Sequence, residues 1–179
     1  MTHRGSQATA SIIKEGLDLI ISGPLTQARL SSVADGSVAT ALHHQLADTF
    51  GIELQRAIVS AEAGGVRCGY ADVTALGVDR WMAMVGAYSK LNRPLIVVDL
   101  GSAITMDVVD KVGQHLGGYI LPGIALMRRS LRGGTAHVRP TDEIDQIIAP
   151  AQVTSAAVSR GSLLAVIAVI EKLVDMCLL

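Results

Sequence analysis

Three short apolar segments follow one another between residues 94 and 121, and this arrangement limits the possible folds more than any other feature. The segments read PLIVVDL, AITMDVVD and QHLGGYIL. Gly101 lies between the first two, and the turn-like peptide DKVG lies between the second and the third. Connections of this length suit antiparallel hairpins. The sequence therefore predicts a sheet that contains three consecutive antiparallel strands.

The sequence before residue 94 predicts alternating helices and strands. Helical spacing of apolar residues indicates an amphipathic helix over residues 8–22. The peptides ARLSSV and LQRAIV are short strand candidates, and GSVATALHHQLADTFG between them reads as a helix that Gly51 ends. The glycine-rich stretch SAEAGGVRCGYADVTALG reads as a loop, and VDRWMAMVGAYSKL reads as another helix.

Two more helices are predicted after the three strands. The first is PGIALMRRSLRGG, with Pro122 suited to its first turn and a glycine pair to its end. The second begins at about Thr154. We place a boundary near Asn92-Arg93-Pro94, which gives predicted lobes of residues 1–92 and 93–179 in an α/β fold.

Composition and charge indicate a soluble cytoplasmic protein. Half of the 179 residues are apolar and the net charge is −1, so nothing in the charge favours nucleic acid or an anionic membrane as a partner. The two cysteines, Cys68 and Cys177, lack metal-ligand spacing and suit a reducing compartment. The longest apolar run, LLAVIAVI, is much shorter than the roughly 20 residues of a membrane span.

The first of the three segments is β-branched and apolar on both faces, as expected of a central, buried strand. Asp99 lies at its carboxyl end, where open α/β sheets bind ligands. Gly101 allows a sharp turn and a close approach to an anion, and Ser102 and nearby backbone N–H groups can donate to phosphate oxygens. The carboxylate of Asp99 can hold a cation that bridges those oxygens. Taken alone, the segment is equally consistent with a structural role, in which the Asp99 carboxylate only caps the turn.

Two further segments are candidates for chemistry. Asp79, in the peptide Gly77-Val78-Asp79-Arg80, lies in the first turn of a predicted helix and can take a proton from an alcohol. Arg80 can pair with a substrate carboxylate or phosphate group. The alternative role for Asp79, and for Thr154 at the start of the last helix, is to cap a helix.

Four ordered motifs, taken together, resemble those of the type III pantothenate kinases, a family that includes the Bvg accessory factor proteins. The first contains Gly69-Tyr70 followed by Gly77 to Trp81, and the second runs from Asp99 to Asp107 with Ser102 in place of a threonine. The third runs from Gln114 to Met127, and the fourth from Thr154 to Gly161. The resemblance extends from about Ser31 to the end of the chain.

The resemblance implies a fold and a reaction. The fold is the two-lobed, ribonuclease H-like architecture of acetate and sugar kinases, Hsp70 and actin, with ATP bound between the lobes. The reaction is ATP-dependent phosphorylation of pantothenate, the first step of coenzyme A biosynthesis. A homodimer, Mg²⁺ with the ATP, and a monovalent cation (K⁺ or NH₄⁺) are also implied.

The resemblance also implies a role for each matching residue. Asp79 is implied as the general base. Asp99 is implied to hold the monovalent cation, and Ser102, beside Gly101, to contact ATP. Pantothenate contacts are implied for the following residues: Tyr70, Gly77, Val78, Asp79, Arg80 and Thr154.

The sequence departs from the family pattern at both ends. Residues 1–35 show no match to the phosphate-binding loop D-x-G-N-[ST] with which family members begin, and the glycine-bearing segment after the last helix is not matched either. We therefore expect a fold that is shortened at both ends. The alternative to an active kinase is a catalytically impaired, accessory-factor-like module that binds pantothenate or a protein. The third candidate function is that of a phosphatase or sugar kinase with the same fold, which the motifs support less specifically.

Overall fold

The computed structural model describes residues 26–32, 36–134 and 147–178, and the architecture is α/β. The chain divides into two compact units. The first consists of Met1–Ala61 with Ala71–Ala83, and the second of Glu62–Tyr70 with Met84–Leu179. The helix predicted over residues 8–22 lies outside the described residues. The proposed lobes of residues 1–92 and 93–179 remain a prediction.

The first unit contains a parallel strand pair and the helix between its strands. Strands β1 (Ala28–Leu30) and β2 (Leu54–Arg56) pair in parallel, and helix α1 (Gly36–Phe50) connects them. Gly51 ends α1 with a φ of 66°, and its N–H donates to the Ala47 carbonyl at 2.9 Å. The predicted strands and helix of this segment are therefore confirmed, with Gly51 as the stop signal.

The next segment leads through a short hairpin into a long helix. Strands β3 (Glu62–Ala63) and β4 (Val66–Arg67) form an antiparallel hairpin, where we had predicted a loop. A single 3₁₀ turn (Val73–Ala75) precedes helix α2 (Val78–Leu91). On α2 the side chains predicted to form its apolar face are buried or half-buried, which confirms the helical spacing: Trp81, Met84, Val85 and Tyr88.

The second unit is built on the three predicted strands. Strands β5 (Leu95–Leu100), β6 (Ala103–Val109) and β7 (His115–Pro122) form an antiparallel sheet in that order. The connections are the predicted hairpins. The central strand of the described sheet is β6, however, and not β5, whose apolar sequence suggested a strand buried on both faces. Residues of β5 are only half-buried, and Asp99 and Leu100 are exposed.

One face of this sheet forms the core of the second unit. Helix α3 (Ile124–Gly134) follows β7 directly, and helix α4 (Thr154–Leu178) is the last element. Ile104 and Met106 of β6 pack with Val166 and Leu173 of α4 in one buried cluster. Because side chains alternate along a strand, Thr105 and Asp107 lie on the opposite face. This core cluster therefore uses one face of the sheet, and the side chain of Asp107 is buried on the other.

Two details of the second unit bear on the predictions. Pro122 is the last residue of β7, so the expectation that it lies in the first turn of the following helix was wrong. Helix α3 begins two residues later, and Gly133 and Gly134 form its end as predicted. Among the described residues, no helix combines the length and the apolarity needed to cross a membrane.

Candidate functional site

The turn between β5 and β6 places an acidic side chain beside backbone and hydroxyl groups. Gly101 and Ser102 form this two-residue turn, and the Gly101 N–H donates to the Ala103 carbonyl at 3.0 Å. Asp99, Gly101 and Ser102 are all exposed. No hydrogen bond joins the Asp99 carboxylate or the Ser102 hydroxyl to another described residue. Both groups are therefore available to a ligand.

The same turn packs tightly on the junction between β7 and α3. The Gly123 N–H donates to the Ser102 carbonyl at 3.0 Å. A Cβ atom at Gly123 would lie 2.2 Å from the Gly101 carbonyl oxygen and 2.7 Å from that of Ser102. Only a glycine allows this approach, because the opposing atoms belong to the backbone. The motif around Gly123 thus fixes the position of the turn that follows Asp99.

Thr154 lies on the rim of a groove between α3 and α4. The groove has a volume of about 520 Å³. Its lining is mostly apolar and comes from the end of β7 and both helices, including Pro122, Met127, Ser130 and Ala157. Thr154 is the first residue of α4, and its hydroxyl makes no hydrogen bond to another described residue, so the capping role is not observed. The groove and the hydroxyl together can accept a small amphipathic molecule.

The carboxylate of Asp79 is exposed in the first turn of α2, within the first unit. Its Oδ1 atom accepts a hydrogen bond from the Arg80 N–H at 2.8 Å. Its Oδ2 atom has no such partner among the described residues. A Cβ atom at Gly77 would lie 2.7 Å from Oδ1, so the glycine makes room for this carboxylate position. Val78 begins the helix, and Arg80 is 7% exposed.

A single 3₁₀ turn and its cap precede this carboxylate. Asp72 accepts hydrogen bonds from the hydroxyl of Thr74 at 2.7 Å and from its N–H at 2.9 Å. These bonds favour the ionised carboxylate, the side-chain bond most strongly, and they lower the pKa of Asp72 below its ordinary value. The turn that leads to Gly77 is therefore held by a charged cap.

Tyr70 lies in the second unit, against a buried pair of polar side chains. Its ring stacks on the imidazole of His115 with centroids 5.9 Å apart and planes 9° from parallel. The Nε2 atom of His115 lies 3.0 Å from Oδ1 of Asp107, and both residues are 1% exposed. Sequence reasoning placed these two residues inside motifs but assigned them no role.

The predicted site residues thus fall into two sets. Gly77, Val78, Asp79 and Arg80 belong to the first unit, and the others belong to the second: Tyr70, Asp99, Gly101, Ser102 and Thr154. Within residues 26–32, 36–134 and 147–178, no three His, Cys, Asp or Glu side chains form a metal-binding group. A cation at Asp99 would therefore depend on one carboxylate together with carbonyl, hydroxyl or phosphate oxygens.

The family model for type III pantothenate kinase matches residues 2–176. The chain belongs to the type III pantothenate kinase family. The match begins well before Ser31, where the motifs alone had placed the start of the resemblance. Curated type III pantothenate kinases from Pseudomonas savastanoi and Chromohalobacter salexigens are 44% and 39% identical over 140 and 180 residues.

The family match covers only part of those relatives. The aligned regions are 76% and 95% of this chain, but 56% and 61% of the two relatives. The chain therefore spans little more than half the length of the curated kinases that it matches. A solved structure described as a Baf family transcriptional activator from Campylobacter jejuni matches with a TM-score of 0.53 and 24% identity. That match covers 89% of this chain and 68% of the other, and it supports the fold alone.

Proposed function

We propose that this chain phosphorylates pantothenate to 4′-phosphopantothenate with ATP, the first step of coenzyme A biosynthesis. Family membership supports the reaction. The observation that carries the proposal for this chain is the Asp79 carboxylate, which is exposed, held through Oδ1 by a backbone N–H, and open at Oδ2. A carboxylate in this state can accept a proton from a substrate hydroxyl.

In the proposed reaction, Asp79 takes the proton of the pantothenate hydroxyl. The hydroxyl oxygen forms a bond to the γ-phosphorus of ATP, and the bond from that phosphorus to the β–γ bridging oxygen breaks. ADP leaves with the electron pair of the broken bond. Most of the catalysis then comes from positioning and from neutralising charge on the phosphates.

Pantothenate is assigned to the residues that match the family motifs. Its carboxylate and amide groups suit the polar groups at Gly77 to Arg80, and Tyr70 offers a half-buried aromatic surface. The exposed hydroxyl of Thr154 suits another polar group of the same substrate. The apolar lining of the groove beside Thr154 suits the methyl-bearing part of the molecule.

ATP is assigned to the turn after Asp99. The Ser102 hydroxyl and its N–H can donate to phosphate oxygens, whereas the Gly101 N–H is already bonded to Ala103. The free carboxylate of Asp99 suits a monovalent cation, K⁺ or NH₄⁺, that offsets phosphate charge. Mg²⁺ commonly binds through phosphates and few protein ligands, so the absence of a three-residue metal group in the described part of the chain is compatible with it.

Three broader features belong to the same proposal. The fold is the ribonuclease H-like, two-lobed fold of the acetate and sugar kinase, Hsp70 and actin group. The protein works in the cytoplasm as a homodimer. Exposed apolar side chains on α4 support an interface there: Leu164, Val174 and Met176. Sedimentation analysis would test the dimer, and a monomer at micromolar concentration would contradict it.

Calorimetric titration tests the function directly. Pantothenate is titrated first, then ATP with Mg²⁺ in potassium buffer, and turnover is followed by ADP release. We expect both ligands to bind and Asp79→Asn to lower kcat by at least about 100-fold while pantothenate still binds. Ser89→Ala, on the solvent side of the same helix, is the control and should keep full turnover.

The titration also separates the two candidate functions. Binding of pantothenate without turnover would favour the accessory-factor-like binding module. Binding of neither ligand by a folded sample would overturn the kinase proposal for this chain.

A further inference from the structure

The buried pair His115 and Asp107 has no role in the proposed reaction, although burying two ionisable groups is costly unless both are well paired. Each residue is 1% exposed, and the Nε2–Oδ1 distance is 3.0 Å. His115 is the first residue of β7, and Asp107 lies on β6. The pair therefore lies within the sheet that also carries Asp99.

The hydrogen bonds fix which nitrogen of His115 carries the proton. The Gly69 N–H donates to Nδ1 at 3.4 Å, so Nδ1 acts as the acceptor. A neutral imidazole then has its hydrogen on Nε2, from which it donates to Oδ1 of Asp107. Both edges of the ring are held, and the ring plane cannot rotate without breaking one of the two bonds.

The fixed ring plane is the surface on which Tyr70 lies. The two rings are nearly parallel, with centroids 5.9 Å apart, which is within the range of favourable offset stacking. Gly69 holds the neighbouring backbone against β7, because a Cβ atom there would lie 2.1 Å from the His115 carbonyl oxygen. His115 thus contacts both residues of the Gly69-Tyr70 dipeptide.

We propose that His115, oriented by Asp107, is a positioning residue that sets the ring of Tyr70 for pantothenate binding. The inference rests on the proposed function for the contact between Tyr70 and pantothenate. His115 is buried and does not touch the substrate; it acts through Tyr70. A ring held in one orientation before binding loses less conformational freedom when the substrate arrives.

A purely structural role predicts a different result from a positioning role. Loss of a structural pair lowers stability, and any change in affinity then persists when Tyr70 is absent. Loss of a positioning residue changes affinity only while Tyr70 is present. A double-mutant cycle between the two positions distinguishes these roles.

The experiment compares pantothenate affinity in four forms: wild type, His115→Gln, Tyr70→Ala and the double variant. The glutamine keeps an amide near Asp107 but removes the ring that stacks on Tyr70. We expect His115→Gln to weaken binding by about three- to tenfold in the wild-type background and by less than twofold in the Tyr70→Ala background. Equal effects in both backgrounds, or no effect in either, would overturn the proposal. If His115→Gln does not fold, Asp107→Asn replaces it in the same cycle.

A second measurement does not depend on the ligand. The chain has three tyrosines, so ring NMR signals can be assigned with single Tyr→Phe variants. We expect His115→Gln to shift and broaden the Tyr70 signal and to leave Tyr119, which is 50% exposed, unchanged. An unchanged Tyr70 signal would overturn the positioning role even if pantothenate binds.

A control variant and the two measurements, pantothenate affinity and the Tyr70 NMR signal, distinguish a failure of the proposed function from a failure of the proposed role of His115. Tyr88→Phe removes a hydrogen bond to the Lys111 carbonyl in the same unit and should leave affinity unchanged. A wild-type chain that does not bind pantothenate would contradict the proposed function. The Tyr70 signal would then still show whether His115 orders that ring. The claim that the ordered ring serves pantothenate binding would be contradicted together with the proposed function.

Discussion

Gly77 illustrates how a single missing side chain can set the position of the proposed general base, Asp79. Its Cβ position lies 2.7 Å from Oδ1 of Asp79, and its φ is not in the left-handed region, so alanine fits the backbone but displaces the carboxylate. We expect Gly77→Ala to lower kcat by about 10- to 100-fold, because small misplacements of a catalytic group are costly. The melting temperature should change little.

Gly86 provides the matched control for this prediction. It lies on α2, the helix that carries Asp79, and a Cβ atom there meets nothing within 4 Å. Gly86→Ala should keep full turnover and stabilise the protein by about 0.5–1 kcal/mol, since alanine is the better helix former. Steady-state kinetics and thermal denaturation of the two variants check both statements. Full turnover by Gly77→Ala would show that the observed carboxylate position is not required.

At single residues, sequence reasoning selects candidates where one residue type carries the signal, and their roles stay predictions. The carboxylate, glycine and hydroxyl of Asp99, Gly101 and Ser102 could be selected because their chemistry and short spacing suffice. The contact between His115 and Asp107 could not be predicted, because it depends on strand register. A bulge between Val108 and Val109 sets that register, and the sequence contains no clear signal for it.

At the level of elements, the packing of one turn on another gives a testable consequence. Gly123 contacts the carbonyl groups of Gly101 and Ser102, which belong to rigid backbone. We expect Gly123→Ala to destabilise the protein by roughly 1–3 kcal/mol and to weaken ATP binding, because the turn must move. Gly133→Ala on α3, where a Cβ atom meets nothing within 4 Å, is the control. Chemical denaturation and ATP titration test the pair, and equal behaviour of the two variants would contradict the packing argument.

The Asp72 cap predicts a dependence on pH at the 3₁₀ turn before Gly77. Hydrogen bonds from Thr74 lower the pKa of Asp72, so the stabilisation is complete above the unfolded pKa and is lost as pH falls through the lower, folded pKa. We expect the Thr74 amide signal to move as the pH falls, with a midpoint below that of an unstructured Asp peptide. Asp72→Asn should remove the transition. A midpoint at or above the peptide value would contradict the cap.

Elements with clear periodicity or clear turns were predicted well, and so were the short strands β1 and β2, but the two-residue strands β3 and β4 were not. Helix α2 and the three strands of the second unit carry clear periodicity or clear turns. The β3–β4 hairpin was predicted as a loop because its strands have two residues each, although Gly64-Gly65 between them is a recognised hairpin signal. Its position also depends on distant contacts, such as the bond from the Arg67 N–H to the Gly113 carbonyl at 2.8 Å.

At the scale of the molecule, the α/β class could be predicted because helix-like and strand-like segments alternate along the chain. The order of the strands in the sheet could not be predicted from how apolar each segment is. The β5 segment is the most continuously apolar of the three, yet β6 is central because it is the middle strand of two successive hairpins. Connection length therefore predicted the topology better than hydrophobicity did. The candidate site residues divide between two compact units that interleave along the chain, which no local pattern reveals.

The core of the second unit gives the last prediction. Leu173 of α4 is 5% exposed and packs in the cluster with Ile104 and Met106 of β6. We expect Leu173→Ala to lower the free energy of unfolding by about 2–5 kcal/mol, because it removes buried methyl groups and leaves a cavity. Leu126→Ala on α3 deletes the same atoms from a side chain that is 43% exposed, and it should cost less than about 1 kcal/mol.

Hydrogen exchange shows which elements lose stability in the Leu173→Ala variant. Protection should fall in β5, β6 and β7 of the Leu173→Ala variant, because α4 covers that face of the sheet, and it should fall less in β1 and β2. Equal destabilisation by the two leucine variants would mean that α4 does not form the observed core. In that case the groove beside Thr154, which α4 also lines, would lose its structural basis as the proposed binding site for pantothenate.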